Sequence, residues 1–322
     1  MSILSTLRES AAPAAAVEIA AGHVAAATLE WRDARAAIAA HASEPLPDGA
    51  LVPSLTAANV HDRPAVAGAL GRVLERIGNP RRVGLVVADT VARVSLVRFA
   101  QVPPKTQDLD QLVRWQVKKS APFPIEEAQV SYVPGLHAED GQEFLVTLAR
   151  RNVVEEYEQL CADAGAHAGL VDLSTINVIN AVLAGSAPPA EADWLLVNIA
   201  AGYTSVAVLR GTHVIFFRNR TADTDGMLAD LVHQTAMYYE DRLKGGGFTR
   251  VLLAGVTAAD TPGGEFDHVR RGLAERLHTA VDTVDPRVAA MLTDRITAAP
   301  ALLDTLTPLV GMLLRDRDKV AA

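Results

Sequence analysis

VEIAAGHVAAATL at residues 17–29 and VNIAAGYTSVAVL at residues 197–209 are two copies of one pattern. At a constant offset of 180 residues, 7 of the 13 positions are identical. Each copy has an apolar start, a turn of small residues closed by glycine, and a second apolar run, which is typical of a β-hairpin. Coincidence in an alanine-rich sequence is the alternative, but a duplication fits better and predicts two facing domains of related design. The alanine-rich residues 34–42 fit either a third strand or a helix.

The composition is that of an ordinary globular protein. The 322 residues are 49% hydrophobic and 21% charged, which is enough for two domains with proper cores. The net charge of −8 argues against nucleic-acid binding. Cys161 is the single cysteine, which excludes a disulfide framework and fits a reducing compartment. We see neither a signal-peptide pattern nor an apolar run near the roughly 20 residues of a membrane helix, so we expect a cytoplasmic protein without direct membrane insertion.

The middle of the chain predicts a layered α/β domain, because residues 143–185 alternate between strand and helix patterns. The best domain boundary is Ser186–Ala192, which holds Pro188 and Pro189. We therefore expect a first lobe over residues 1–190 and a second over residues 192–322, with the C-terminal helix in the second lobe.

A search for catalytic motifs finds no Walker A loop, no G-x-S-x-G elbow and no H-E-x-x-H, so the sequence predicts no catalytic and no metal-ligating residue. Residues 245–247 are three glycines, but they follow a helix pattern and are interpreted as a linker. The duplicated hairpins remain. Facing turns of small residues can present backbone N–H groups to an anion between two domains, and an adjacent carboxylate could hold Mg²⁺ through water.

Several further stretches follow one another in a recognisable order. The first stretch, residues 110–127, reads DQLVRWQVKKSAPFPIEE and has the pattern of a helix followed by a PFP turn and an acidic pair. The next, FLVTLARR at residues 144–151, begins a strand–helix–strand unit. VLLAG at residues 251–255, GLAERL at residues 272–277 and LVGMLLR at residues 309–315 follow. From about Ala16 to Leu314 the chain resembles the PilM family, actin-like cytosolic proteins of the type IV pilus assembly platform.

The resemblance implies an α/β, actin-like fold: two facing RNase H-like lobes with an inserted α+β subdomain (1C in the family) at about residues 51–141. It also implies binding of the N-terminal cytoplasmic peptide of PilN, an inner-membrane pilus protein, in a groove between the first core subdomain and the inserted one. Other pilus platform and motor proteins would be further partners. The protein would then lie at the inner membrane only through its partners.

The nucleotide site implied by the family departs from its pattern here. The matching positions are Glu18, Ala20, Ala21, Gly22, His23, Asn198, Ala200, Gly202, Tyr203, Thr204 and Gly255. Alanines replace the first glycines of both phosphate loops, which penalises positive φ and crowds a phosphate. Asn198 stands where the family has an aspartate, so one carboxylate is lost. Glu18 keeps a carboxylate at the other position, on a longer side chain. Because ATP hydrolysis needs a metal and an oriented water, we expect no enzyme activity and no bound cofactor, with Mg-ATP binding as the alternative.

The leading hypothesis is thus a PilM-like adaptor that links the inner-membrane alignment complex to the motor side. An active actin-like ATPase, whose nucleotide state gates partner binding, is one alternative. The cytoplasmic part of a type II secretion platform protein is another, although that family normally carries a membrane helix and a periplasmic domain. If Trp115 packs inside the inserted subdomain, Trp115→Ala would cost about 3–5 kcal/mol, whereas an exposed ring would be a candidate contact residue.

Overall fold

The structure is a computed structural model that describes residues 13–138, 140–186, 188–221, 228–255, 264–293 and 298–315. Its strands are β1 (Ala15–Ala20), β2 (His23–Arg32), β3 (Arg35–Pro45), β4 (Arg82–Val87), β5 (Ala92–Phe99), β6 (Ala128–Ala138), β7 (Gly141–Arg150), β8 (His167–Leu173), β9 (Asp193–Ala200), β10 (Tyr203–Arg210), β11 (His213–Thr221), β12 (Arg250–Ala254), β13 (Val281–Thr283) and β14 (Met291–Leu292). Its helices are α1 (Arg63–Arg76), α2 (Thr106–Lys118), α3 (Arg151–Asp163), α4 (Ser174–Gly185), α5 (Leu228–Arg242), α6 (Gly264–Leu277) and α7 (Pro300–Leu314). Within these ranges, no helix combines the length and apolarity needed to cross a bilayer.

The two halves of the chain build the same sheet. The first sheet has the order β14-β3-β2-β1-β4-β8, and the second has the order β11-β10-β9-β12-β13. In both, an antiparallel meander leads into parallel pairing of the first strand with a later one, β1 with β4 and β9 with β12. The duplication inferred from the two hairpins is therefore confirmed at the level of topology, and residues 34–42 form a strand rather than a helix.

The first sheet is covered on both faces, which explains why its central strands are apolar at nearly every position. One face of β1 packs in a core with α1 and α3, and the other packs in a core with α7. The alanines of β1 and β2 that face α7, among them Ala16 and Ala25, are completely buried. Gly84 on β4 lies so close to Met312 that an added Cβ would come within 2.7 Å of its side chain. Small residues thus let the helix lie directly on the sheet.

The inserted subdomain both begins and ends later in the chain than the expected 51–141. Its three-stranded sheet, in the order β5-β7-β6, covers residues 92–150, with α2 packed on one face. Helix α1 and strand β4 belong to the first lobe, since α1 packs on β2 and β3 while β4 pairs with β1 and β8. The sequence interpretation was wrong here because adjacent strands β4 and β5 look alike, although each pairs in a different sheet.

The expected place of the C-terminal helix is also wrong. Helix α7 packs against α4 and against β1, β2 and β4 of the first sheet, and β14 pairs with β3. Apolar side chains such as Leu309 and Leu313 fill the face of that sheet that α1 leaves uncovered. The last part of the chain therefore returns from the second lobe to the first, because the first sheet has a second face to bury.

Candidate functional site

The turns of the two hairpins line a cavity of about 290 Å³ between the lobes, called the cleft below. This volume is at the lower limit of small-molecule sites. Of the residues predicted from the sequence, most line the cleft together: Glu18, Ala20, Ala21, Gly22, His23, Asn198, Ala200, Tyr203 and Gly255. Gly202 and Thr204 are not among its lining residues. Helix α7 supplies another wall through Asp304 and Thr305, which the sequence interpretation missed because it placed this helix in the other lobe.

The polar groups of the first hairpin find their partners within the first lobe. Glu18 is buried at the end of β1, and one of its carboxylate oxygens accepts a hydrogen bond from the Ser174 hydroxyl at 3.0 Å. The other oxygen lies 3.5 Å from His23 Nε2, which has no hydrogen-bond partner. Burial disfavours the imidazolium, but the Glu18 carboxylate outweighs burial and raises the pKa of His23.

The second hairpin instead reaches across the cleft. Asn198 Nδ2 donates to the Thr175 hydroxyl at 2.8 Å, at the start of α4. Tyr203 is only 4% exposed, and it packs in the hydrophobic core of the first lobe with residues such as Val17 and Val87. Burial and the nearby carboxylates of Asp89 and Glu18 raise the pKa of its phenol well above the usual value. The phenol therefore stays neutral and acts as a hydrophobic plug.

Behind the cleft, a buried cluster joins the two lobes around Asp89, and we call it the interlobe latch. Asp89 accepts hydrogen bonds from the Thr175 backbone N–H at 3.0 Å and from the hydroxyls of Thr175 and Ser205. These hydroxyls in turn accept from Asn198 Nδ2 and from Asn219 Nδ2, the latter at 2.9 Å. Because both amides donate, both hydroxyls are free to donate onward to Asp89.

The sequence pattern alone does not reveal the latch, because Asp89 lies in a short turn between two strands. Its partner Ser205 lies 116 residues away. Burial raises the pKa of Asp89, against the lowering effect of its three donors. The available signal was its position after a buried parallel strand, since the carboxyl ends of such strands are where α/β sheets place functional groups.

The alanines of the two turns occupy space in the cleft with their methyl groups, and they do not strain the backbone. Ala20, Ala21, Ala200 and Ala201 all line the cleft, and none of them has a positive φ. The expected strain is therefore absent, whereas their methyl groups do line the space a phosphate would approach. Gly255 has a φ of +73°, and a Cβ there would lie 1.8 Å from the Ile199 carbonyl oxygen. Its glycine is thus required for packing against β9.

The cleft is a poor fit for Mg²⁺ with a triphosphate. Glu18 is engaged by Ser174 and His23, Asn198 offers an amide that Thr175 already accepts from, and Tyr203 fills the space behind them. In the described part of the chain, no three His, Cys, Asp or Glu side chains group in a way that could hold a metal ion.

A second cavity, of about 190 Å³, lies between the first lobe and the inserted subdomain, and we call it the groove. Its floor comes from β8 and the start of α4, and its roof from the face of β6 and β7 that does not carry α2. Most lining side chains are apolar, but Arg315 donates to Asp172 at 2.8 Å. Burial raises the pKa of Asp172 in spite of this ion pair. Strand β8 is at the edge of the first sheet, and β6 is at the edge of the third.

A thin wall separates the two cavities. Ala88 and Ser174 line the cleft, while their near neighbours Val87 and Leu173 line the groove. Asp89 and Thr175 of the latch stand in this wall.

Comparison with known proteins agrees with this geometry. The family model described as type IV pilus assembly protein PilM matches residues 16–244. A solved structure described as the PilM–PilN type IV pilus biogenesis complex is 18% identical and covers 94% of this chain and 98% of its own, with a TM-score of 0.79.

More distant likenesses have TM-scores below 0.5 and support no further conclusion. A Bacteroides thetaiotaomicron protein with an actin-like ATPase fold is 8% identical over 88% of this chain and 94% of its own, with a TM-score of 0.49. The cytoplasmic domain of Vibrio cholerae EpsL, from the type II secretion system, is 13% identical over 74% and 80%, with a TM-score of 0.46. The chain thus has the actin-like fold and belongs to the PilM family of type IV pilus assembly proteins.

Proposed function

We propose that this chain is an adaptor of type IV pilus biogenesis that holds the N-terminal cytoplasmic peptide of a PilN-like inner-membrane protein in the groove. The observation that carries the proposal is the groove itself, open between the first lobe and the inserted subdomain. The likeness to the PilM–PilN complex, over 98% of that chain, supports it. In this role the protein is cytoplasmic, is held at the inner membrane by its partner, and connects to further platform and motor proteins.

The groove suits an extended peptide for two reasons. Strands β8 and β6 are edge strands, so their outer backbone groups are available for pairing with an added strand. Lining side chains such as Leu145 and Ile176 offer apolar contacts, while the ion pair between Asp172 and Arg315 is the charged part of the lining. A peptide with alternating apolar and charged residues would match both features.

The test is a calorimetric titration with a synthetic peptide from the N-terminus of the cognate PilN. We expect saturable binding, and we expect Ser131→Arg, which places a long charged side chain in the groove, to abolish it. Gln107→Arg on the exposed side of α2 is the matched control and should bind as the wild type does. No heat of binding at high micromolar peptide would contradict the adaptor assignment.

We further propose that the cleft no longer works as a nucleotide site, so that the adaptor function lies in protein contacts. The second candidate is Mg-ATP binding without hydrolysis, which the 290 Å³ cleft between both turns favours. A thermal shift with millimolar ATP, with magnesium or with EDTA, separates the two, because a ligand that binds the native state raises the melting temperature. We expect no shift; a magnesium-dependent rise would favour the second candidate.

A further inference from the structure

Trp115 lies on the outer side of the inserted subdomain and is exposed. Of the two possibilities that the sequence leaves open, the exposed one holds: its side chain is 65% exposed, while Val113 and Val117 form the buried side of α2. Among the large apolar side chains that the structure describes as exposed, this one has the largest exposed fraction. Trp115→Ala should therefore have little effect on the free energy of unfolding. A tryptophan left in water is a typical centre of a protein interface.

Two exposed lysines lie beside the ring. Lys118 and Lys119 follow Trp115 at i+3 and i+4, which places them beside it on the surface of the helix. Both lysines are exposed, and no carboxylate in the described residues pairs with either of them. The helix has two acidic residues, of which Asp110 already accepts a hydrogen bond from the Tyr132 hydroxyl. The C-terminal half of α2 is thus basic on a chain whose net charge is −8.

We propose that Trp115, Lys118 and Lys119, which we call the basic patch, dock an acidic segment of a partner protein other than the one in the groove. Unpaired cations around an aromatic anchor complement carboxylates, and the pairs would gain strength as water is excluded. A membrane surface fits less well, because lipid-binding patches typically cluster about 4–8 basic residues and the whole chain is acidic. A second copy of this chain also fits less well, because two chains that each carry a net charge of −8 repel each other.

The position of the patch allows both partners to bind at once. Helix α2 covers one face of the third sheet, and the groove lies against the other. The inference rests on the proposed adaptor function, because it gives the adaptor the second contact that linking two components requires. Its failure can nevertheless be told apart from failure of the groove, since the PilN-peptide titration reports on the groove alone.

The test uses the full chain in piliated cells, with a photo-crosslinking amino acid at position 115. We expect a crosslink to one protein through an acidic segment, and we expect Lys118→Glu with Lys119→Glu to reduce both this crosslink and piliation by about tenfold or more. The melting temperature and the affinity for the PilN peptide should not change. Arg81→Glu with Arg82→Glu, an exposed basic pair on the first lobe, is the control for the change in net charge.

Support for the proposal requires a charge swap. Changing the acidic residues of the crosslinked segment to lysine should restore crosslinking and piliation to the variant with glutamates at positions 118 and 119. If Trp115→Ala leaves piliation unchanged, and the double reversal leaves both piliation and crosslinking unchanged, the proposal is wrong. It is also wrong if the purified chain binds vesicles of phosphatidylglycerol and the reversal abolishes that binding, because the patch would then be a lipid site.

Discussion

Hairpin β1–β2 and hairpin β9–β10 close their turns with the same register, Ala20 opposite His23 and Ala200 opposite Tyr203. Their side chains make different contacts. In the first hairpin, Glu18 is satisfied by Ser174 and His23 within its own lobe. In the second, Asn198 donates to Thr175 across the cleft, and the equivalent of His23 is a tyrosine buried in the core of the opposite lobe.

The difference shows that two hairpins of the same topology can make different contacts through a few side chains. Small residues and a glycine still form each turn, so the two hairpins face each other as a nucleotide-binding pair would. The second hairpin, however, now supplies packing and hydrogen bonds that join the lobes. The side chains of Asn198 and Tyr203 make the contacts of the second hairpin with the first lobe.

The largest expected effect comes from truncating the two equivalent turn residues. Tyr203→Ala removes a buried aromatic ring and should lower the free energy of unfolding by about 3–5 kcal/mol. His23→Ala removes a side chain that is 31% exposed and forms one weak ion pair, so its cost should stay below about 1 kcal/mol. Urea denaturation of both variants measures the difference. Equal losses would show that the hairpins contribute alike and would contradict the plug role of Tyr203.

A smaller effect is expected from the pH dependence of the latch. Burial raises the pKa of Asp89 above its unfolded value of about 3.9, so the folded chain keeps a proton that the unfolded chain releases. The contribution of Asp89 to stability is therefore greatest at low pH and falls as the pH rises through its raised pKa.

Asp89→Asn removes this titration. The stability of the wild type relative to Asp89→Asn should accordingly decrease as the pH rises from about 4, as measured by denaturation of both proteins at each pH. A difference that stays constant over this range would mean that Asp89 titrates alike in the folded and unfolded chains. The ordered donors of Thr175 and Ser205 would then have cancelled the effect of burial.

The smallest effect separates the glycines of the two turns. A Cβ at Gly22 or at Gly202 would meet nothing within 4 Å, but only Gly202 has a positive φ, +83°. Gly202→Ala should therefore cost about 1 kcal/mol through backbone strain. Gly22→Ala should be neutral or stabilise the chain by about 0.5 kcal/mol, because it restricts the unfolded chain. Thermal melts of the two variants test this, and an equal shift in both would show that the turns do not differ in strain.

Several features of the fold follow from short-range pattern and could be predicted. The hairpins and the boundary near residue 190, where the chain changes sheet, depend on periodicity and on a repeat that the sequence displays directly, whereas Glu18 and Asn198 were assigned to the cleft through the resemblance to the PilM family. Strand β6 was missed because Pro134 and Gly135 interrupt its pattern, and pairing with β7 forms the strand despite them.

The sequence by itself indicated two related hairpins with small-residue turns, because strand alternation and turn chemistry act between neighbours in the chain. Only the tertiary structure decided the bounds of the inserted subdomain, the return of α7 to the first lobe, and the partners of Asp89 and Tyr203. Each of these depends on which buried face or buried polar group remains unsatisfied once the sheets are assembled. The residues next to Asp89 in the sequence do not show this, since the groups that satisfy its carboxylate are 86 and 116 residues away.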